Sequence, residues 1–155
     1  MNRFSNPEYL LLRNLDVSTR LISNHAMRVL KSNGITIAQA QVIFIISEQE
    51  NPSQESIACA LHIARTAVRL TLHQLIDGGY VNRMPDTSDK RIHRLELTEK
   101  GNSMIPVFDE LVKESNQRAL SCLTEYEKIV FLGLLQKVQD CCLSEFLDNP
   151  TPRNK

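Results

Sequence analysis

Residues 53–101 constrain the fold more than any other stretch, because there the hydrophobic period switches from helical to strand-like with glycines at the change point. Ser53 follows Pro52 and offers a hydroxyl N-cap, with Gln54 and Glu55 in the first turn of a helix. Ile57, Ala58 and Leu61 give that helix one apolar face. Ile63 falls in the turn after it, where it is expected to plug the angle between two helices. A second helix is expected over about residues 64–77. Val68, Leu72 and Leu75 form its buried stripe, flanked by Ala64, Thr71 and Ile76. The opposite face carries Thr66, Arg69, Leu70, His73 and Gln74, with Arg65 at its edge. Gly78-Gly79 ends the helix, since glycine takes the left-handed C′ conformation cheaply.

Residues 80–84 and 92–97 then alternate as strands around the turn-rich tip PDTSDKR. Arg83, Lys90, Arg91 and Arg94 lie on or beside this hairpin. Helix, turn, helix, hairpin is the order of a winged helix-turn-helix. In that fold the second helix enters a major groove, and an arginine at a hairpin tip suits the negative potential of a narrow minor groove.

The same residues resemble the DNA-binding lobe of the MarR family, the multiple antibiotic resistance regulators. Ser53-Gln54 matches the opening of the first helix and Gly79-Tyr80-Val81 the stop. Asp86-Thr87-Ser88-Asp89-Lys90-Arg91 matches the wing's Asp-x-x-Asp-x-Arg, and Leu97-Thr98-Glu99-Lys100-Gly101 the Leu-Thr-x-x-Gly after it. Each motif alone is weak; their order and spacing together are specific. The likeness extends upstream to Ile35-Thr36-Ile37-Ala38-Gln39 and, more loosely, over most of the chain. The resemblance implies that Arg91 enters the minor groove with Asp89 orienting it, and that the outer face of the second helix enters the major groove. The DNA-binding set expected on this basis is Ser53, Gln54, Arg65, Thr66, Arg69, Leu70, His73, Asp89, Lys90 and Arg91. Outside this architecture the same cations would read as solvated surface charge.

Two positions depart from the family pattern. Arg69 and Leu70 follow Val68 where the family commonly has Thr or Ser and then Arg, so the arginine has moved by one position. Leu70 suits a thymine methyl, or marks an altered readout. Ala64 stands where a hydroxyl N-cap is usual, a loss of about 1 kcal/mol if nothing replaces it.

Charge is distributed rather than abundant. Eighteen Lys and Arg balance eighteen Asp and Glu, so no global basic field announces nucleic acid. Residues 62–95 are nevertheless net +3, residues 1–33 are net +3, and residues 34–60 are net −3. A modest basic face on a neutral chain fits salt-sensitive binding to duplex DNA.

The rest of the chain reads as helix. Asn6-Pro7 starts a long first helix, with Leu11, Leu15, Ile22, Val29 and Leu30 at helical spacing and a stop at Asn33-Gly34. Thr36 and Gln39 form a capping box for a helix to about Gln49, despite the strand-like propensity of VIFII. Thr98 is expected to cap a long helix to about Ser121, which Pro106 should kink or start late. Thr124 and Glu127 box the last helix, which is apolar nearly all round until Asn149-Pro150. So much apolar surface argues for a partner. The expected class is mainly α with a small β hairpin, a winged helix-turn-helix with long N- and C-terminal dimerisation helices. Residues 1–34 and 102–148 would dimerise, residues 35–101 would form the DNA-binding lobe, and residues 149–155 a flexible tail. At 155 residues, with no tryptophan and 5% aromatic residues, the core must be largely aliphatic.

Other chemistry is weakly signalled. Cys59, Cys122, Cys141 and Cys142 show no CxxC spacing, and the histidines are scattered, so no metal is expected. The cysteines read first as small core thiols. The alternative is redox sensing by Cys122 or the 141–142 pair. No Ser-His-Asp order, paired-carboxylate site or phosphate loop is visible, so neither an enzyme nor a cofactor is expected. A signal peptide and a membrane span are also missing, which suggests a cytoplasmic protein.

The resemblance further implies a small-molecule effector, often phenolic, with Arg20, Asn24, His25 and Phe44 as candidate lining residues. The expected function is that of a homodimeric transcription regulator, a repressor bound to a pseudo-palindromic operator on double-stranded DNA and relieved by that effector. A thiol-controlled regulator, or a winged-helix module that binds protein through Leu70, are the alternatives.

Overall fold

A computed structural model describes residues 6–85 and 93–148. The wing-tip residues Asp89, Lys90 and Arg91 and the tail from residue 149 lie outside the described residues. The chain divides into two compact units, Met1–Ser115 and Asn116–Lys155. The elements run α1 (Pro7–Ser32), α2 (Ile37–Glu48), α3 (Gln54–Leu61), α4 (Arg65–Asp77), β1 (Val81–Pro85), β2 (His93–Leu97), α5 (Glu99–Asn102), α6 (Ile105–Ala119) and α7 (Glu125–Cys142). A π-helical turn, Leu143–Asp148, follows. Among the described residues no single helix is long and apolar enough to cross a membrane.

In the first unit the core is aliphatic, as a chain without tryptophan requires. Leu30, Val42, Ile43, Ile57, Val68, Leu75 and Val81 are fully buried. They come from α1, α2, α3, α4 and β1, so one small core holds all these elements. Each such side chain contributes about 1.5–3 kcal/mol relative to exposure. The VIFII run is helical. Thr36 Oγ1 accepts from the Gln39 backbone N–H at 3.2 Å, and Gln39 Oε1 accepts from the Thr36 N–H at 2.8 Å. Ala40, Val42, Ile43 and Ile46 are all buried, and tertiary burial outweighs the β-propensity of branched residues.

β1 and β2 pair antiparallel, with Val81 opposite Leu97 and Arg83 opposite Leu95. Paired residues share a face, so Val81, Leu95 and Leu97 look toward the core. Met84 and Arg94 face the other way. The helix expected from Thr98 to about Ser121, kinked or started late at Pro106, is two. α5 ends at Asn102, buried Met104 occupies the break, and α6 starts at Ile105 and stops at Ala119. Pro106 marks a late start and not a kink. In the first turn of α6 its missing N–H breaks no helical bond.

The second unit holds the last residues of α6 and then α7. Thr124 donates from its backbone N–H and its hydroxyl to Glu127 Oε2, each at 2.8 Å. These two bonds, the backbone one first, hold the Glu127 carboxyl below its usual range against a small opposing effect of desolvation. No α7 residue is buried. This corrects the reading of the cysteines as core thiols: all four are exposed. Cys141 and Cys142 sit on α7, where no residue is fully buried, and Cys59 lies on α3 away from buried Ile57 and Ala58.

Gly101 is the tightest backbone position. A Cβ there would lie 2.2 Å from the Tyr80 carbonyl oxygen. Gly101→Ala is therefore expected to destabilise the fold by about 1–3 kcal/mol, at the upper end because the obstacle is backbone. Chemical denaturation followed by circular dichroism measures it; an unchanged midpoint would show that the junction yields.

Candidate nucleic-acid interface

The candidate interface is built around α4. Its inner stripe, Val68, Leu72 and Leu75, is buried. That burial fixes the helix's rotation and turns Thr66, Arg69, Leu70, His73 and Gln74 to solvent. Leu70 is 63% exposed, a large aliphatic side chain in the middle of a polar face.

The turn before α4 differs from the expectation. Ile63 is exposed and does not plug the helix angle; Leu61 is the residue partly buried against the core. His62 takes a left-handed conformation, φ 51°, and its N–H bonds back to the end of α3. With no glycine to mark it, this cap was not legible in the sequence. Across the turn, Gln54 Nε2 donates to the Arg65 carbonyl at 3.0 Å. Ser53 Oγ accepts from the Ser56 N–H at 3.0 Å. Of these two residues expected at DNA, Gln54 thus also ties α3 to the start of α4, and Ser53 caps α3.

Three outward basic side chains of α4, Arg65, Arg69 and His73, differ in their surroundings. Arg65 forms an ion pair with Glu55 of α3. His73 Nδ1 lies 3.0 Å from Asp77 Oδ2, one turn on. Arg69 has no ion-pair partner among the described residues. Sequence reasoning missed both carboxylates. The i, i+4 spacing of His73 and Asp77 was a usable signal. Glu55 and Arg65 are ten positions apart, and only the angle between α3 and α4 brings them together.

At the other end of α4, Gly78 caps the helix and Gly79 takes φ 72°. Tyr80 follows, its N–H on the Leu75 carbonyl at 2.8 Å, and the hairpin begins. Thr98 Oγ1 donates to the Gly79 carbonyl at 2.7 Å, and the Thr98 N–H donates to the Tyr80 carbonyl at 3.0 Å. Lys100 Nζ donates to the Gly78 carbonyl at 2.8 Å and stands 4.1 Å over the Tyr80 ring. The two motifs that flank the wing therefore meet at one joint, and that joint sets how the hairpin leaves the helix.

Of the lining residues the resemblance suggested, Phe44 packs on Phe108 with ring centroids 5.0 Å apart. His25 Nε2 is buried, lies 3.7 Å from Glu114 Oε2 and makes no hydrogen bond. Arg20 pairs with Asp16 on the exposed side of α1 at 3.4 Å.

A buried-stripe helix with a polar outer face, joined through a two-glycine stop to an antiparallel hairpin, defines a winged helix-turn-helix protein. Residues 35–93 match the MarR family. These residues form a MarR-family domain, the family of transcriptional regulators that the sequence resembled. It is 29% identical over 107 residues to the uncharacterized HTH-type transcriptional regulator YybA of Bacillus subtilis (strain 168), covering 68% of this chain and 71% of that protein. The crystal structure of the transcriptional regulator SlyA superposes with a TM-score of 0.78 at 27% identity, covering 84% of this chain and 92% of that one. A MarR variant from E. coli in complex with operator DNA gives a TM-score of 0.74 at 26% identity, covering 83% and 92%.

Ala64 takes the extended N-cap conformation, φ −64° and ψ 139°, yet no side chain caps α4. Ala64→Ser should therefore stabilise the fold by about 1 kcal/mol, read as a higher denaturation midpoint. No gain would mean that the free N–H groups are already satisfied.

Proposed function

We propose that this regulator acts as a homodimer that binds a pseudo-palindromic operator on double-stranded DNA, with one α4 in each of two major grooves and one wing in each flanking minor groove. The observation that carries the reading is the outer face of α4, where Thr66, Arg69, Leu70 and His73 stand exposed opposite a fully buried stripe. The operator complex of the E. coli relative supports it. In this reading Arg69 contacts a base edge, Leu70 meets a thymine methyl, and Ser53, Gln54, Arg65 and Lys90 position the backbone. Arg91 enters the minor groove and Asp89 orients it. The two copies of α4 stand about 34 Å apart or near a multiple of the helical turn.

The uncovered apolar residues support the dimer. On α7, Ile129 is 71% and Leu132 59% exposed; on α1, Leu11 is 71% exposed. That much wet aliphatic surface is unusual for a monomer. α1 and the helices after the wing are its proposed dimerisation elements. Light scattering is expected to give the mass of two 17.7 kDa chains, and Leu132→Glu to shift it toward one. A single-chain mass for the wild type would remove the dimer and the spacing argument with it.

The protein acts as a repressor, and an effector releases it by favouring a spacing of the two heads that no longer fits successive grooves. The family resemblance supports a small molecule in that role. Exposure of Cys122, Cys141 and Cys142 favours a second reading, release by thiol oxidation. Mobility shifts with and without peroxide, and with Cys→Ser variants, separate the two.

A mobility-shift titration with the protein's own upstream DNA over a salt series tests the whole. Specific, salt-sensitive binding is expected. Arg91→Ala should weaken it, and Arg69→Ala should lose about 1–3 kcal/mol of discrimination. If no fragment is enriched even at low salt, exposed Leu70 points instead to a protein partner.

A further inference from the structure

Glu55 belongs to none of the motifs, yet it holds one of the cations of the candidate interface. Its carboxylate Oε1 accepts from Arg65 Nη2. The Arg65 backbone is tied at the same point, its carbonyl accepting from Gln54 Nε2 at 3.0 Å. The side chain therefore starts from a fixed position and reaches back to the first turn of α3. Both partners stand in solvent, 66% and 69% exposed.

We propose that Glu55 competes with the DNA backbone for Arg65, weakening attachment to every duplex alike and leaving the choice of sequence to Arg69 and Leu70. This rests on the DNA-binding reading above. A carboxylate and a phosphate ask for the same guanidinium fork, with the same charge and the same paired oxygens. When a duplex approaches, Arg65 either leaves Glu55, which strands an anion beside a polyanion, or shares its five donors and binds the phosphate with fewer. Both outcomes lower affinity, and neither depends on the base sequence, since phosphate contacts carry none. A purely structural role is a poor account of the pair, because exposed ion pairs add little to folding. α3 and α4 are already joined by Gln54 and by a shared core that includes Ile57 and Val68.

The test uses the full chain, a selected operator duplex and a scrambled one, titrated by fluorescence anisotropy over a salt series. Glu55→Gln keeps the size and the helix and removes the charge. It is expected to bind both duplexes about two- to fivefold tighter, the range an exposed pair allows. The ratio between duplexes should stay unchanged. The slope of log affinity on log salt should steepen, by up to about 0.9 for each phosphate contact released. In an Arg65→Gln background the same change should lose its effect, which a general repulsion would not. Equal or weaker binding by Glu55→Gln would mean that Glu55 orients Arg65 for DNA, and the proposal fails. A gain confined to one duplex, or one that persists without Arg65, overturns it as well. Each of these outcomes leaves wild-type binding, and so the DNA-binding reading, intact. If the wild type binds no duplex at low salt, that reading fails and the competition falls with it.

Discussion

The close approach of Gly101 to the Tyr80 carbonyl is the constraint on which the reading head depends. Only a residue without a Cβ lets the helix start after β2 lie against the strand entry before β1. Once they touch, Thr98 bonds to the Gly79 and Tyr80 carbonyls and Lys100 closes over the Tyr80 ring. The end of α4 and the base of the wing become one rigid joint. The motif residues Gly79, Tyr80, Thr98 and Gly101 are thus structural. They set the angle between the two elements proposed to meet DNA and need not touch DNA themselves.

Electrostatics on that head are partitioned. The chain as a whole is neutral, so attraction to a polyanion has to come from placement. Two outward side chains of α4 face carboxylates, Arg65 with Glu55 and His73 with Asp77, and Arg69 between them has none among the described residues. In the proposed complex with DNA, such an arrangement would moderate sequence-independent attraction and leave Arg69 unopposed. It suits a protein proposed to find one site among many and to leave it on a signal, where excess backbone affinity would slow release.

The apolar exterior has a different logic. α7 is capped by a full Thr124–Glu127 box, so its formation is locally secured, yet no α7 residue is buried. A helix that is well formed and wet on its apolar side is stable in shape and unfinished in packing. Within the proposed dimer, a second copy completes it. The exposed thiols of Cys141 and Cys142 belong to the same unfinished surface, which is why counting them as core residues failed.

Local chemistry carried most of the helix boundaries and the hairpin. The boxes at Thr36–Gln39 and Thr124–Glu127, the stop at Gly78-Gly79 and the alternation around the wing are signals of a few adjacent residues, and the structure follows them. The outer face of α4 was equally legible, since a 3.6-residue period places Thr66, Leu70 and His73 opposite Val68, Leu72 and Leu75 once the inner stripe is known. What eluded that reading depends on residues far apart in sequence or on backbone states with no compositional mark. The separate short helix α5 was only half legible, because Pro106 marked a late start for α6 but not the buried Met104 that fills the gap before it. The left-handed His62 follows from the angle that the α3 and α4 packing demands. The pairing of Glu55 with Arg65 exists only once that angle is set. Periodicity and caps determine which elements form and which way each one faces. Packing alone decides which charges are left free at the surface, because ion pairs across elements are made by distances that no local pattern encodes.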